Sequence, residues 1–483
     1  MGVGTAATAG MLGRRGYVGN SARRPDHGRI ERPKSIIFMV SDGMSAGVPS
    51  LAEPFSQLVR STGTYYWGLL RSESVARGFL DMASANSLVT DSAAAVSSWS
   101  TGERINNGKI NVSPDGRKLT PIGRLVHQTG KRVGLVTTTR ITHATPAGFV
   151  ANATDRNREF DISPQYLEEE VDVLLGGGRR QFDGALRPDG VGLISSFREK
   201  GYSILDSRDS LIRGGNASGE RMLGLFGLDH LPFSIDRNAN EELKKSVPTL
   251  AEMTRAALAS LVQHSGGFLL QVEGGRIDHA AHSNDAGALL WDQLAFDDAI
   301  GVVLEFLKDQ PDTLVVVTTD HGNANPGLNG VGAWYAESTQ AFERLADAKA
   351  SYGRLRSEIL RKRATAGAER KATTSVVHEV FARRLGIDLE DGEVAIISRM
   401  MDGEFPDEPS HQQRNIVGIV GQILGNYTGI GWTGVSHTAD LVMTVAAGAG
   451  RSRFAGLQRN TDVFKHLAEL LGVRSAVTGA AHS

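Results

Sequence analysis

The sequence predicts an α/β fold: a doubly wound, mostly parallel central sheet with helices on both faces, plus a mainly helical insertion. Three observations predict it. Four short apolar runs, SIIFMV (35–40), RVGLVTT (132–138), GFLLQV (267–272) and TLVVVTT (313–319), are nearly continuous, as in strands buried on both faces. Helix-forming stretches lie between them, and strand–helix alternation builds a parallel sheet covered on both sides. Each run is also followed by polar chemistry: Ser41-Asp42-Gly43, then His143 and Thr145, then Glu273-Gly274-Gly275, then Asp320-His321-Gly322. Ligands of open parallel sheets bind outside the carboxyl ends of the strands, so these residues are expected on one rim.

In chain order, residues 1–33 read as a disordered tail or the remnant of an export signal. GVGTAATAGMLG is small and apolar, but Arg14-Arg15 follows it, the reverse of a signal peptide's order. Its Gly2-x-Gly4-x-x-Ala7 spacing resembles a dinucleotide fingerprint, which the absence of a preceding strand discounts. At 88–99, LVTDSAAAVSSW, three alanines favour helix, and Thr90 or Asp91 can cap its start. Ser92 then falls in the first turn, where free N–H groups and the helix dipole favour an anion; an ordinary helix cap has the same pattern. The glycines of DVLLGGGRRQF (172–182) read as a turn. PTLAEMTRAALASLVQ (248–263) and ALLWDQLAFDDAIGVVLEFLK (288–308) read as helices, the second placing Leu290, Leu294, Ile300 and Leu304 near helical spacing.

Beyond 331 the composition shifts. Residues 343–371 carry nine Lys/Arg against four Asp/Glu, read as a solvated helix face. Val377, Phe381 and Leu385 recur four apart, and Ile416, Ile419, Val420 and Ile423 share one helical face. Residues 34–483 therefore read as one domain, interrupted by a helical insertion at about 331–425.

Composition narrows the chemistry. The chain has 483 residues and a net charge of −2, so no global field argues for nucleic acid or an anionic membrane. No apolar run approaches a membrane-spanning length. With no cysteine, disulfides, thiolate catalysis and cysteine-held zinc are excluded, and any metal must be held by His, Asp, Glu and hydroxyl groups. The densest candidate is VEGGRIDHAAHS (272–283), where Asp278 and His282 stand four apart, on one face of a helical turn. Adjacent strand residues point oppositely, so Asp320 and His321 can serve one ion only if the strand has ended, a turn Gly322 permits. GWTGVSHTAD (431–440) adds His437. Oxygen and imidazole ligands without sulfur suit Zn²⁺, and Mg²⁺ where oxygen dominates.

The ordered blocks FMVSDGM, VTDSAAA, HATPAG, VEGGRIDHAAH, TTDHGN and GVSHTA resemble the alkaline phosphatases, metal-dependent phosphomonoesterases with a serine nucleophile. The resemblance runs through most of residues 35–450. It implies an alkaline-phosphatase-like catalytic domain that hydrolyses phosphate monoesters through a phosphoserine, with two Zn²⁺ and one Mg²⁺, the third site being open to another divalent ion. Position by position it implies Ser92 as nucleophile and Arg156 as the grip on the phosphoryl oxygens. Asp278, His282 and His437 resemble the ligands of the first zinc; Asp42, Asp320 and His321 those of the second. Asp42 is further implied to bridge to magnesium, with Thr145 and Glu273. Asp91, His143 and His279 are implied beside the phosphate or behind the ligands. Family members carry Asp or His at one of these positions and Lys or His at another; here both are histidine, at His143 and His279. The expectations are an altered third-metal occupancy from His143 and a phosphate affinity that titrates with His279, quickening product release at alkaline pH. The alternative of equal standing has both histidines as hydrogen-bonding residues behind the site. The resemblance also implies small phosphate esters as substrates, a periplasmic or extracellular location and a homodimer. Readings kept open beside it are a diesterase or sulfatase on the same scaffold, though the C/S-x-P-x-R setting of sulfatases is absent, and a non-catalytic metal- or phosphate-binding protein. The 116-position gap from His321 to His437 suggests a lid, a rim or an oligomer contact. Histidines 27, 127, 230, 264, 378, 411, 466 and 482 have no motif and read as surface or core residues.

Overall fold

A computed structural model describes residues 32–214, 219–366, 370–404 and 415–473. The reading of the first 31 residues, and of His27, His411 and His482, lies outside the described residues. Ten strands form the central sheet: β1 (Ser35–Ser41), β2 (Val75–Asp81), β3 (Arg132–Arg140), β4 (Val173–Gly177), β5 (Ser203–Leu205), β6 (Met222–Leu225), β7 (Phe268–Gly274), β8 (Thr313–Thr318), β9 (Val442–Gly448) and β10 (Gly456–Arg459). Their order is β10-β2-β9-β8-β1-β7-β3-β4-β6-β5. Every neighbouring pair is parallel except those of β9, which runs against both β2 and β8. The four apolar runs are β1, β3, β7 and β8, adjacent to one another at the centre, which is why they lack polar alternation.

Two hydrophobic cores cover the two faces. In β1, Ile36, Phe38 and Val40 point into one core, and Ile37 and Met39 into the other. The first core takes Val96 and Trp99 from the Ser92–Thr101 helix and Phe464 and Leu467 from the Asn460–Leu471 helix. The second takes Met253, Leu258 and Leu261 from the Leu250–Leu261 helix and Leu289, Phe296 and Ile300 from the Ala286–Asp309 helix. Capping sets the limits of the last two. A Thr249–Glu252 capping box starts the first at Leu250, and the Asp285 carboxylate, accepting from the Ala288 N–H at 3.0 Å, starts the second at Ala286. Leu290 and Leu294 point away from the sheet to a smaller core with Leu51, Phe55 and Phe342. Among residues 172–182, Gly176 and Gly177 lie in β4, and only Gly178, with φ +89°, makes the predicted turn.

Between Ala333 and Thr428 the described residues are helical apart from connections. They share a core of their own, in which Leu355, Ile359, Val377, Phe381, Ile397, Ile419 and Ile423 are buried together. The chain leaves the sheet after β8 and returns through His437–Thr438, which pairs antiparallel with Gly322–Asn323 before β9 begins. The segment thus departs and returns at the strand-end rim.

Candidate active site

Asp42 leaves β1, Glu273 ends β7, and Asp320 and His321 follow β8, all on one side of the sheet. In the register Val40 stands opposite Glu273 and Thr318, and Thr137 of β3 opposite Glu273, so the parallel pairing delivers the three strand ends at one level. The backbone at Gly43, φ +72°, permits the close packing that follows. A Cβ there would lie 2.6 Å from Asp278 Oδ1, inside contact distance. The strand has ended before Asp320, as serving one ion with His321 requires, and the left-handed residues of the turn come after Gly322. β8 has already ended at Thr318, Gly322 pairs with Thr438, and the positive φ values fall at Ala324 (51°) and Asn325 (38°).

Asp278, His282 and His437 present ligand atoms within 4.8 Å of one another, the first two from one short helix, Arg276–His282. His282 Nδ1 donates to the Val435 carbonyl at 2.7 Å, and His437 Nδ1 to the Thr90 carbonyl at 2.9 Å. A carbonyl only accepts, so both ring protons are on Nδ1 and both Nε2 atoms carry lone pairs. Those two lone pairs face each other at 3.0 Å, with Asp278 Oδ2 3.4 Å from His282 Nε2 and Asp278 Oδ1 3.6 Å from His437 Nε2. Three acceptors converging without a proton between them fit a cation.

A second group, Asp42, Asp320 and His321, shares this wall, and the His321 and His437 rings stack at 3.6 Å. His321 Nε2 is 3.2 Å from Asp320 Oδ2 and 3.6 Å from Asp42 Oδ1. A third group, Asp42, Glu273 and His143, lies on the far side of Asp42, where Thr145 is also fully buried. Both Asp42 oxygens, Thr145 Oγ1, Glu273 Oε1, Asp320 Oδ2 and His321 Nδ1 are buried without a hydrogen-bond partner. Each such group costs about 1–3 kcal/mol unless something partners it. Burial, then the neighbouring carboxylates, pushes Asp42 well above the usual range; burial pushes Glu273 to about 7 and Asp320 to about 6. Divalent cations suit this donor set, which would otherwise take up protons.

Ser92 opens its helix beside these groups. Asp91 is the cap: its carboxylate accepts from the Ala94 N–H and the Gly108 N–H, each at 2.9 Å. The helix is wholly buried, anchored by Trp99 against Phe38 of β1 with ring centroids 5.2 Å apart. Ser92 Oγ lies 3.1 Å from His321 Nε2. Arg156 reaches in from the opposite side, donating from Nη1 to Asp91 Oδ2 and from Nη2 to His143 Nε2, each at 3.1 Å. Donation to Nε2 leaves the His143 proton on Nδ1, so in this arrangement that nitrogen is a donor and no cation ligand. Ser92, Arg156, His143, Asp278, His279, His282 and His437 line one open cleft of about 280 Å³.

Every candidate site residue named from the sequence is brought to this cleft or its floor. The structure adds others. Thr137 and Thr139 donate to Glu273 Oε2, and Asn323 donates to Asp278 Oδ1 at 2.6 Å. Arg140, paired with Glu159 and Asp229, forms the cleft's outer wall. His230, read as a surface or core residue, is half-buried behind the cleft, its ring packed on His279 at 4.5 Å and on His143 at 5.6 Å. Asn323 ends the TTDHGN block and Thr137 lies in a predicted strand, but neither residue type marked itself as a support. His230, in a loop after β6, carried no signal. For His279, burial, then Arg276, holds the pKa well below the ordinary value, which disfavours the charged ring that the expected pH dependence calls for.

A family model described as alkaline phosphatase matches residues 33–393. Alkaline phosphatase 3 of Bacillus subtilis is 29% identical over 93% of this chain and 92% of its own. Alkaline phosphatase 4 of the same organism is 31% identical over 77% of this chain and 75% of its own. Among solved structures, the Thermus thermophilus alkaline phosphatase superimposes with a TM-score of 0.84 at 37% identity, covering 96% of each chain.

Proposed function

We propose that this chain, which belongs to the alkaline phosphatase family, hydrolyses phosphate monoesters through a covalent phosphoserine at Ser92. That it is a phosphomonoesterase follows from the family; the mechanism and the residue roles are the proposal. The observation that carries them is the place of Ser92 Oγ, 3.1 Å from His321 Nε2 in a cleft that Arg156 also lines. Asp278, His282 and His437 would hold one Zn²⁺; Asp42, Asp320 and His321 a second; and Asp42, Glu273 and Thr145 an Mg²⁺ or another divalent ion. Two such ions supply Lewis acidity that favours the serine alkoxide and neutralises charge on the departing oxygen.

The protein's own groups account for the rest. The Ser92 helix directs its positive end at the phosphoryl group, and Arg156, steadied by Asp91 and His143, offers its fork to the equatorial oxygens. Ser92 Oγ forms a bond to phosphorus as the ester P–O bond breaks and the alcohol leaves. Water then cleaves the phosphoserine, releasing phosphate and restoring the hydroxyl. His143 orients Arg156 and, with its proton on Nδ1, makes the third cation site the weakest of the three.

The test compares a chromogenic phosphate monoester with a diester and a sulfate ester, with and without chelator. Monoester turnover that chelation abolishes is expected, and Ser92→Ala is expected to lose at least about 10³-fold. Full activity in Ser92→Ala removes the phosphoserine step; preferential diester or sulfate turnover replaces the substrate class. Among the described residues no helix is long and apolar enough to cross a membrane. A periplasmic or extracellular location and a homodimer belong to the same proposal.

A further inference from the structure

Arg276 lies two residues beyond β7, and its guanidinium rests over the Phe233 ring, Cζ 3.8 Å from the centroid. Among the described residues no carboxylate is in salt-bridge contact with it, and its Nε is buried without a hydrogen-bond partner. Its guanidinium makes one side-chain hydrogen bond among the described residues, from Nη1 to His279 Nδ1, at 2.7 Å. A guanidinium stays charged and only donates, so His279 Nδ1 is the acceptor and the ring's single proton is on Nε2. With Nδ1 taken by Arg276, Nε2 is the nitrogen left for the cleft that His279 lines with Ser92 and Arg156. The plane of the ring is held as well. His230 packs against it at 4.5 Å and 70°, and His143 at 5.7 Å and 78°. His230 is tied in turn, its Nδ1 accepting from the Arg140 N–H at 3.1 Å.

We propose that Arg276 is a positioning residue that fixes His279 as the neutral Nε2–H tautomer, so that this nitrogen donates to an oxygen of the phosphoryl group bound in the cleft. The identity of the bound group rests on the phosphomonoesterase reading; the tautomer does not. A guanidinium donating to Nδ1 also polarises the Nε2–H bond outward. The cleft thereby gains a fixed neutral donor beside the cationic fork of Arg156.

The tautomer is read by nitrogen-15 imidazole spectra of the zinc-loaded enzyme, using the resonance lost in His279→Gln. A proton on Nε2 is expected in the parent and a mixed or Nδ1-protonated ring in Arg276→Gln; a proton on Nδ1 in the parent overturns the proposal. Inhibition by inorganic phosphate, compared at equal zinc content, reads the donation. His279→Gln places an amide nitrogen near the Nε2 position and is expected to stay within about threefold of the parent, whereas His279→Asn, which cannot reach it, loses about tenfold. Arg276→Gln is expected to lose about tenfold, and the Arg276→Gln/His279→Asn double variant no more than either alone. Equal inhibition constants in parent and His279→Asn, or fully additive losses, overturn the proposal. Should Arg276→Gln fail to fold, the parent spectrum and the Gln/Asn pair at His279 decide it alone. An enzyme without monoesterase activity defeats the earlier reading and leaves the tautomer measurement standing.

Discussion

Asp278 must serve two imidazoles at once, and a carboxylate free to rotate would serve either poorly. Asn323 prevents this by donating from its side-chain amide to Asp278 Oδ1 at 2.6 Å and to the Asp278 carbonyl at 3.2 Å, while its own backbone is tied to Ser45. Outer partners of this kind typically carry 10–100-fold in metal affinity. Asn323→Ala is therefore expected to weaken zinc retention at the first site by about that factor, measured by chelator competition, with the second site less affected. Equal zinc affinity in the variant would show that the Arg276–His282 helix orients Asp278 without help from Asn323. Asn323 also marks how far single residues could be read beforehand. Asp42, Ser92, His282 and His437 announced themselves because acids, imidazoles and a hydroxyl recur beside glycines in ordered blocks. Their supports did not, because Asn, Thr and a lone loop histidine such as His230 are ordinary residues until the fold sets them against a ligand.

The Ala286–Asp309 helix shows how an element serves the site without touching it. Its apolar spacing was legible, and Leu289, Phe296 and Ile300 pack under the sheet as an amphipathic helix should. Two of its acidic residues, Asp292 and Asp297, are buried. Asp292 is buried and accepts from the Ser234 N–H at 3.0 Å and the Ser234 hydroxyl at 3.1 Å, fastening the loop beyond β6 to the helix. Periodicity could not reveal this, since a buried capping acid and an exposed one occupy the same kind of position. Burial raises the Asp292 pKa to about 7, against the pull of Ser234 and Arg276. In the unfolded chain the group titrates as an ordinary aspartate does, at about 3.9. Between about pH 4 and 7 the native state thus holds a proton that the unfolded state has released, and stability falls as pH rises through that window. Asp292→Asn keeps a neutral group that can still meet the Ser234 hydroxyl. Its melting temperature is expected to fall less than that of the parent between pH 5 and 7.5, by thermal unfolding of the chelated protein at both values. Parallel curves would mean that Asp292 stays ionised throughout.

At the scale of the whole molecule, the sheet is a device for bringing far-apart segments to one rim, and its charge arrangement is only half complete without cations. The strand order places β8, β1, β7 and β3 side by side, so Asp42, Glu273, Asp320 and His321 meet although their order in the chain scatters them. The parallel centre and its carboxyl-end rim were readable from four apolar runs. The reversed strand β9 and the route by which His437 returns were not, because pairing between distant segments leaves no local periodicity. This geometry makes cation binding and folding one equilibrium. The unfolded chain does not assemble the clusters, so each ion stabilises the native state by RT ln(1 + [L]/Kd), about 4 kcal/mol at a thousandfold excess over Kd. For a chain of this size a few kcal/mol per ion moves the melting temperature by several degrees, and two tightly held ions by about 10 °C. Chelation at pH 8 is expected to lower the melting temperature by about that much and abolish activity, and zinc to restore both. Magnesium alone is expected to recover only a minor part, because it disfavours imidazole, which the first group offers twice and the second once. In His282→Ala/His437→Ala the first site is gone, so chelation should shift the melting temperature by roughly half as much as in the parent. A parent protein that melts at one temperature with and without chelator, yet loses activity, would place the ions at a site formed after folding and would detach the strand-end convergence from stability.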